Sequence, residues 1–158
     1  MRSKRRLRLQ IGGLVFLGLF PACGDFVESR DDAPRLTIDE QGGAITLASL
    51  TVDIPAGAVA TPVTFAVTAE ERPGLASPAY VVAPAGTPFA KPARVSIAFD
   101  AAKWLHPVEM FLVDLTMSTA HPLAEQHPEM GRVTGAANSA GTFAVLQCPG
   151  GVCPAMPH

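Results

Sequence analysis

The stretch Val52–Phe65 has the sequence VDIPAGAVATPVTF, in which two partly apolar runs are separated by a Pro-Ala-Gly break. Apolar and polar residues alternate before its break, over 50–54, and again after the break, over 63–67. Alternation with a period of two is typical of a β-strand that has one buried face and one solvated face. Pro55 has no N–H and cannot continue a strand ladder, and Gly57 allows a positive φ that other residues resist. The stretch therefore predicts two β-strands joined by a tight corner.

The rest of the chain carries similar strand signals, separated by Gly and Pro turns. They occupy Leu36–Ile38, Ala44–Leu47, Tyr80–Ala83, Ala93–Phe99, Met110–Leu115 and Thr142–Leu146. The 15 prolines leave few windows for a helix, and only Asp100–Pro107 predicts one short turn, with Asp100 as its N-cap and Pro107 as its end. We therefore predict an all-β fold, an antiparallel β-sandwich of roughly seven to nine short strands.

The N-terminal segment has the pattern of an export signal. MRSKRRLRLQ carries five basic residues and no acid, and the apolar run IGGLVFLGLF and then PAC follow it. This layout predicts a cleaved signal peptide over residues 1–22. Ten apolar residues are too few to cross a bilayer, which takes roughly 20, so a retained membrane helix is the weaker interpretation.

The end of this segment, LFPAC at Leu19–Cys23, resembles a bacterial lipobox. Ala22 and Cys23 match that motif, whereas Phe20 and Pro21 depart from it. The resemblance implies that Cys23 is lipidated and becomes the first residue of the mature chain, which would then be anchored in a lipid bilayer. A secreted protein without a lipid remains the alternative.

The cysteine count agrees with lipidation. There are three cysteines, and Cys148 and Cys153 bracket a PGGV spacer that allows them to pair in an oxidising compartment. Cys23 is then the odd one, and lipidation would protect its thiol.

The charge of the mature chain differs from that of the precursor. Cleavage before Cys23 removes five of the 12 basic residues and none of the 14 acidic ones, so the formal charge falls from −2 to 7 − 14 = −7. An acidic domain does not match nucleic acid or anionic lipid surfaces electrostatically. We therefore predict no nucleic-acid partner, and a membrane attachment that depends on acyl chains.

Three fragments occur along the chain in this order: GGAITL at Gly42–Leu47, VDIPAGAV at Val52–Val59 and PAGTPFAKPARVSIAF at Pro84–Phe99. Together and in this order they resemble the ZU-five domain, the β-sandwich module of ankyrins and netrin receptors that also occurs in bacterial surface proteins. The matching positions are Gly42, Gly43, Ile54, Pro55, Gly57, Ala58, Phe89 and Pro92. The residue after Pro92 is Ala93, where the family has valine.

The resemblance covers roughly 35–146 and implies a protein-binding module rather than an enzyme. Some relatives cleave themselves before the serine of a His-Phe-Ser motif. Ser139 follows Ala137 and Asn138 instead, so self-cleavage is not predicted.

The remaining polar residues give little sign of chemistry. His121, Glu125, His127 and Glu129 are zinc-ligand types, but Pro122 and Pro128 exclude the helix that the usual spacing requires. We interpret this region as a polar loop and predict neither a metal nor another cofactor. No serine has the Gly-x-Ser-x-Gly context of a nucleophile.

The sequence thus predicts four parts: a signal peptide at 1–22, a tether at 23–34, the β-sandwich at 35–146, and a tail with a disulfide at 147–158. The first function hypothesis is a membrane-anchored, non-enzymatic lipoprotein of the bacterial cell envelope whose β-sandwich acts as a protein-interaction or scaffold module, through exposed loops or an edge strand. The alternative is a small-ligand or carbohydrate-binding accessory lipoprotein that uses the loop Thr116–Met130.

Overall fold

The computed structural model describes residues 33–104, 109–117, 120–129 and 131–153. Within the described residues, eleven β-strands form the sheets, and Ala101–Lys103 and Pro149–Gly151 are short 3-10 helices. The strands are β1 (Arg35–Ile38), β2 (Gly43–Leu47), β3 (Leu50–Ile54), β4 (Val63–Glu70), β5 (Ala79–Ala83), β6 (Pro88–Ala98), β7 (Met110–Asp114), β8 (His121–Pro122), β9 (Ala124–Glu129), β10 (Arg132–Ser139) and β11 (Thr142–Gln147).

The strands form two antiparallel sheets. One sheet has six strands in the order β1-β4-β5-β11-β7-β8, and the other has five in the order β2-β3-β6-β10-β9. Every pairing is antiparallel. The predicted all-β sandwich is therefore confirmed.

The core lies between the sheets and is built by alternate residues of each strand. In β3, Leu50, Val52 and Ile54 are buried, while the residues between them are partly or fully exposed. Phe65 from the six-stranded sheet meets Phe89 from the other sheet, with ring centroids 6.0 Å apart. The period-two pattern read from the sequence is thus the inside–outside alternation of the sandwich.

The chain crosses between the sheets at both sides of the sandwich. β1 and β2 are consecutive and form edges of different sheets, and so do β8 and β9. Gln126 secures the second crossing, because its side chain accepts a hydrogen bond from Leu112 N (2.8 Å) and donates one to Leu123 O (3.0 Å).

The outer face of the six-stranded sheet carries a second hydrophobic cluster. Ala79, Val113, Ala144, Leu146 and Cys148 are buried there, with Cys153 packed against them. A sandwich usually leaves its outer faces to solvent. Here the disulfide-linked turn after β11 extends the packing beyond the two sheets.

The number of strands exceeds the predicted seven to nine, because three strands lie where the sequence shows no clear strand signal. They are β8, β9 and β10. The interpretation of Thr116–Met130 as a loop is therefore wrong for most of its length. β8 and β9 are edge strands, and an edge strand tolerates proline because only one of its sides pairs.

The predicted helical turn is present in part. Ala101–Lys103 forms a 3-10 helix, and the Asp100 side chain accepts a hydrogen bond from Ala102 N as its N-cap. Trp104, which follows this helix, is partly buried and packs against the core. Pro107 lies outside the described residues.

Candidate functional site

The three sequence fragments that carry the family resemblance meet in space at one corner of the five-stranded sheet. We call this the motif corner, formed by 42–43, 54–58 and 89–92. Gly57 N donates to Glu40 O (2.8 Å), and Ala90 N donates to Ala58 O (2.8 Å). The Lys91 ammonium donates to Ala56 O (2.7 Å). The corner between β3 and β4 is thus tied to the β1–β2 turn on one side and to β6 on the other.

Glycine is required at two positions of the motif corner. Gly42 and Gly57 both have a φ of +76°, in the left-handed region. A Cβ on Gly42 would lie 2.3 Å from Ile54 O and 2.8 Å from Ala56 N, both rigid backbone atoms. A Cβ on Gly57 would meet only the end of the Lys91 side chain, at 3.2 Å from Nζ. Gly42 is therefore the more constrained of the two.

Four of the remaining motif residues are packed closely against other parts of the domain. Ile54, Ala58 and Phe89 are buried in the main core. Gly43 lies beside Ile38, whose Cδ1 would be 2.7 Å from an added Cβ. These residues contribute to the shape of the domain through their packing.

The predicted cysteine pair is formed. Cys148 and Cys153 are bonded in a disulfide across a sequence separation of five residues. Cys148 is completely buried, so this end of the chain is part of the packed structure. Cys23, the predicted lipidation site, lies outside the described residues.

The two candidate histidines belong to different sheets. His121 is on β8, opposite Asp114, and His127 is on β9, opposite Thr134. Within the described ranges, no group of three or more His, Cys, Asp or Glu side chains is arranged to hold a metal ion. The sequence spacing therefore does not translate into a cluster of ligands.

His127 instead lines a surface cleft of about 330 Å³ on the outer face of the five-stranded sheet. β6, β10 and β9 form this cleft. Its lining residues are Pro92, Ala93, Arg94, Glu125, His127, Thr134, Gly135 and Ala136. Arg94, Glu125 and His127 are exposed, which makes the cleft open to solvent.

A β-bulge shapes this cleft. β9 pairs with β10 through Thr134↔His127 and then Ala136↔Ala124, so Glu125 and Gln126 together stand opposite Gly135. Glu125 has a φ of +51°, an unusual backbone conformation for a residue other than glycine. A bulge re-aims the side chains around it. Here Gln126 turns toward β7, and Glu125 lines the cleft.

Arg94 supplies the permanent positive charge of the cleft. The ion pairs among the described residues join Arg72 to Glu70 and Lys103 to Asp100, and neither includes Arg94. Asp53 is its neighbour across β3 in the strand register. Among the described residues the guanidinium therefore makes no ion pair.

The four sheet edges differ in how they are protected against adding another strand. In the described part of the chain, β1 has four residues, begins with Arg35 and follows Pro34, while β8 has two residues, one of them a proline. β9 contains Pro128 and the bulge at Glu125. β2, with the sequence GAITL, has no proline, charge or bulge. Charges, prolines and bulges are the usual protections of an edge, and β2 has none.

No protein-family model matches the chain, and no curated protein shows significant similarity to it. In the parts of the chain that the structure describes, no helix is long and apolar enough to cross a membrane.

Proposed function

We propose that this protein is a non-enzymatic lipoprotein of the bacterial cell envelope whose ZU-five-like β-sandwich binds another protein by strand addition at β2. Its anchor would be an acylated Cys23, after removal of residues 1–22. The Cys148–Cys153 disulfide supports both export and this anchor, because it accounts for two of the three cysteines and leaves Cys23 as the third.

The observation that carries the binding mode is the unprotected β2 edge. β2 and β3 are joined by the two-residue turn Ala48–Ser49, with Leu47 paired to Leu50. In such a hairpin, hydrogen-bonded and non-hydrogen-bonded pairs alternate from the turn. The N–H and C=O groups of Ala44 and Thr46 therefore point away from β3, toward the free edge.

The surroundings of β2 suggest the kind of segment that would add there. Ala44 and Thr46 are exposed on the outer face, and Ile45 is buried in the core. Asp39 and Glu40, in the turn before β2, are exposed acids. An extended segment with alternating apolar residues and a basic residue near one end complements this edge.

Strand addition is tested by removing one outward N–H. Thr46→Pro deletes the donor at the free edge, whereas Thr46→Ala removes the side chain and keeps the donor. A photo-crosslinking amino acid in place of Ala44 should capture one recurrent protein in intact cells, and Thr46→Pro should abolish this product while Thr46→Ala retains it. An unchanged product in Thr46→Pro would refute strand addition.

The lipid anchor is tested separately. Metabolic labelling with a palmitate analogue should mark the wild-type protein, and Cys23→Ala should lose the label. A Cys23→Ala protein that still labels would refute lipidation at this cysteine.

A small-ligand or carbohydrate-binding accessory function is the second candidate. The cleft between β6, β10 and β9 favours it, because it places Arg94, Glu125 and His127 around one concave surface. β9 belongs to the segment Thr116–Met130 that the sequence had proposed for this role, now as a strand rather than a loop.

A further inference from the structure

We propose that the cleft around Arg94 binds a saccharide that carries a carboxylate, such as a uronic-acid unit of an envelope or environmental polymer. This site goes beyond the proposed protein interaction, and it deepens the second candidate function by naming the class of ligand. It rests on the chemistry of the cleft and on the protection of the β9 edge.

The cleft recognises its ligand through side chains rather than through the backbone. It borders β9, where Pro128 lacks an N–H and the bulge at Glu125 interrupts the ladder. A peptide strand cannot pair continuously along such an edge. The groups that line the cleft for binding are the Arg94 guanidinium, the Glu125 carboxylate, the His127 imidazole and the Thr134 hydroxyl, the last of which is already hydrogen-bonded to Ser96 Oγ (2.8 Å). These are the donors and acceptors that hydroxyl and carboxylate groups need.

The described lining of the cleft contains no aromatic side chain, and this narrows the class of ligand further. The described lining residues are small, polar or charged, with Ala136 and the Gly135 backbone at the centre. A neutral sugar ring commonly relies on stacking against an aromatic face, which this cleft does not offer. Its anchor must then be ionic. A guanidinium binds a carboxylate with two parallel hydrogen bonds, which gives both strength and orientation.

The charges around Arg94 limit how anionic the ligand can be. Arg132 also lies on this sheet, where Glu129 is its cross-strand partner. With Asp53 and Glu125 included, the surface alternates in sign rather than forming a basic patch. One carboxylate per sugar suits this pattern, and a densely sulfated chain does not. Glu125 and Thr134 remain to bind ring hydroxyls beside the carboxylate.

The shape of the cleft favours a chain over a single small molecule. Enclosed pockets bury most of a small ligand, whereas this cleft holds about 330 Å³ and its charged lining residues are exposed. A polymer can lie across the strands, place one unit in the cleft and continue into solvent on both sides.

Calorimetric titration of the purified full chain tests the proposal, with an α-1,4-linked tetramer of galacturonic acid as the probe. The matched neutral probe is the same tetramer with its carboxylates reduced to alcohols. We expect the acidic tetramer to bind and the neutral one to bind at least about tenfold more weakly, since a hydrogen bond to a charged group has that effect. No binding of the acidic tetramer, or equal binding of both, would overturn the proposal.

Arg94→Gln and Arg132→Gln form a matched pair of variants, because both remove an exposed arginine from the same sheet and only Arg94 lines the cleft. Arg94→Gln should weaken binding of the acidic tetramer at least about tenfold, and Arg132→Gln should leave it within about twofold. Arg94→Lys should give an intermediate affinity, because it keeps the charge and loses the two-pronged geometry. Equal losses in the two glutamine variants would show general electrostatic attraction and refute a built site.

A short peptide with a free C-terminal carboxylate is the competing ligand class. It should bind more weakly than the acidic tetramer. If the peptide binds and the tetramer does not, the saccharide assignment is wrong. Thr46→Pro should not change either titration, so failure of this proposal is distinguishable from failure of strand addition at β2.

Discussion

Replacing three glycines one at a time by alanine separates the backbone strain from the steric clashes that make glycine necessary at the motif corner. Gly86, Gly57 and Gly42 have similar positive φ values, +78°, +76° and +76°. A Cβ on Gly86 would meet nothing within 4 Å, one on Gly57 would meet the Lys91 side chain, and one on Gly42 would meet backbone. The series therefore adds first a flexible and then a rigid obstacle to the same backbone strain.

The expected losses in the free energy of unfolding follow from these contacts. Gly86→Ala carries only the left-handed conformation, about 1–2 kcal/mol. Gly57→Ala adds displacement of Lys91 Nζ, whose hydrogen bond to Ala56 O contributes about 1 kcal/mol more. Gly42→Ala must move the backbone of the corner away from a 2.3 Å approach, and such overpacking costs about 1–3 kcal/mol beyond the strain. We expect the order Gly86 < Gly57 < Gly42.

Urea unfolding followed by tryptophan fluorescence measures the series, because Trp104 is the only tryptophan and packs against the core. The midpoints should fall in the stated order with an unchanged dependence on urea concentration. If Gly42→Ala is no less stable than Gly86→Ala, the corner is softer than its contacts indicate, and the physical account of the motif fails.

Three further variants test other parts of the structure in the same unfolding assay. Tyr80→Phe should cost about 1–2 kcal/mol, because the buried Tyr80 hydroxyl bonds to Ser49 Oγ (2.7 Å) and Ser49 N (3.3 Å); no loss would mean that these bonds are unimportant. Replacing Cys148 and Cys153 together by alanine should cost about 2 kcal/mol from the lost five-residue closure, and reducing agent should then have no further effect on the variant, in contrast to the wild type. Glu125→Gly should leave stability unchanged or raise it by up to about 1 kcal/mol, since glycine accepts the positive φ, while it weakens binding of the acidic tetramer; a clear loss of stability would show that Glu125 serves the fold.

The period-two pattern predicted the strands that have large inward residues, and it did not predict β10. The inward positions of β10 are Val133, Gly135 and Ala137, of which only the first is large. A Cβ on Gly135 would lie 3.1 Å from Leu123 Cβ and 3.4 Å from Leu112 Cδ2, so a larger side chain there would have to displace these two leucines. β10, the strand between β6 and β9, therefore shows no clear hydrophobic pattern, because small residues face the core where leucine side chains pack against it.

The prolines misled the sequence interpretation in a different way. Pro122 and Pro128 excluded a helix, and they also suggested a loop. Proline removes one donor, which matters in the middle of a sheet and much less at an edge. Edge position is a property of the topology, so it could not be read from the local sequence around β8 and β9.

The candidate site could not be predicted from the sequence for a similar reason. Arg94 and Glu125 are 31 positions apart and come together only because β6 and β9 are both neighbours of β10. The histidine-containing segment contributes His127 and Glu125 to the cleft, and this placement follows from the pairing of β9 with β10 rather than from zinc-ligand spacing. The motif glycines were identified, but their order of importance depends on contacts between turns that are distant in sequence.

The five-stranded sheet separates its two proposed surfaces, and this separation is itself testable. Thr46 on β2 and Arg94 on β6 are separated by β3, two strand spacings or about 10 Å apart. Substitutions at sites this distant usually act independently. Thr46→Pro combined with Arg94→Gln should therefore lose the Ala44 crosslink as fully as Thr46→Pro alone and bind the acidic tetramer as weakly as Arg94→Gln alone. A Thr46→Pro protein with weakened tetramer binding would show that the sheet transmits changes between its edges, and that the domain joins a protein partner and a polysaccharide through one coupled surface.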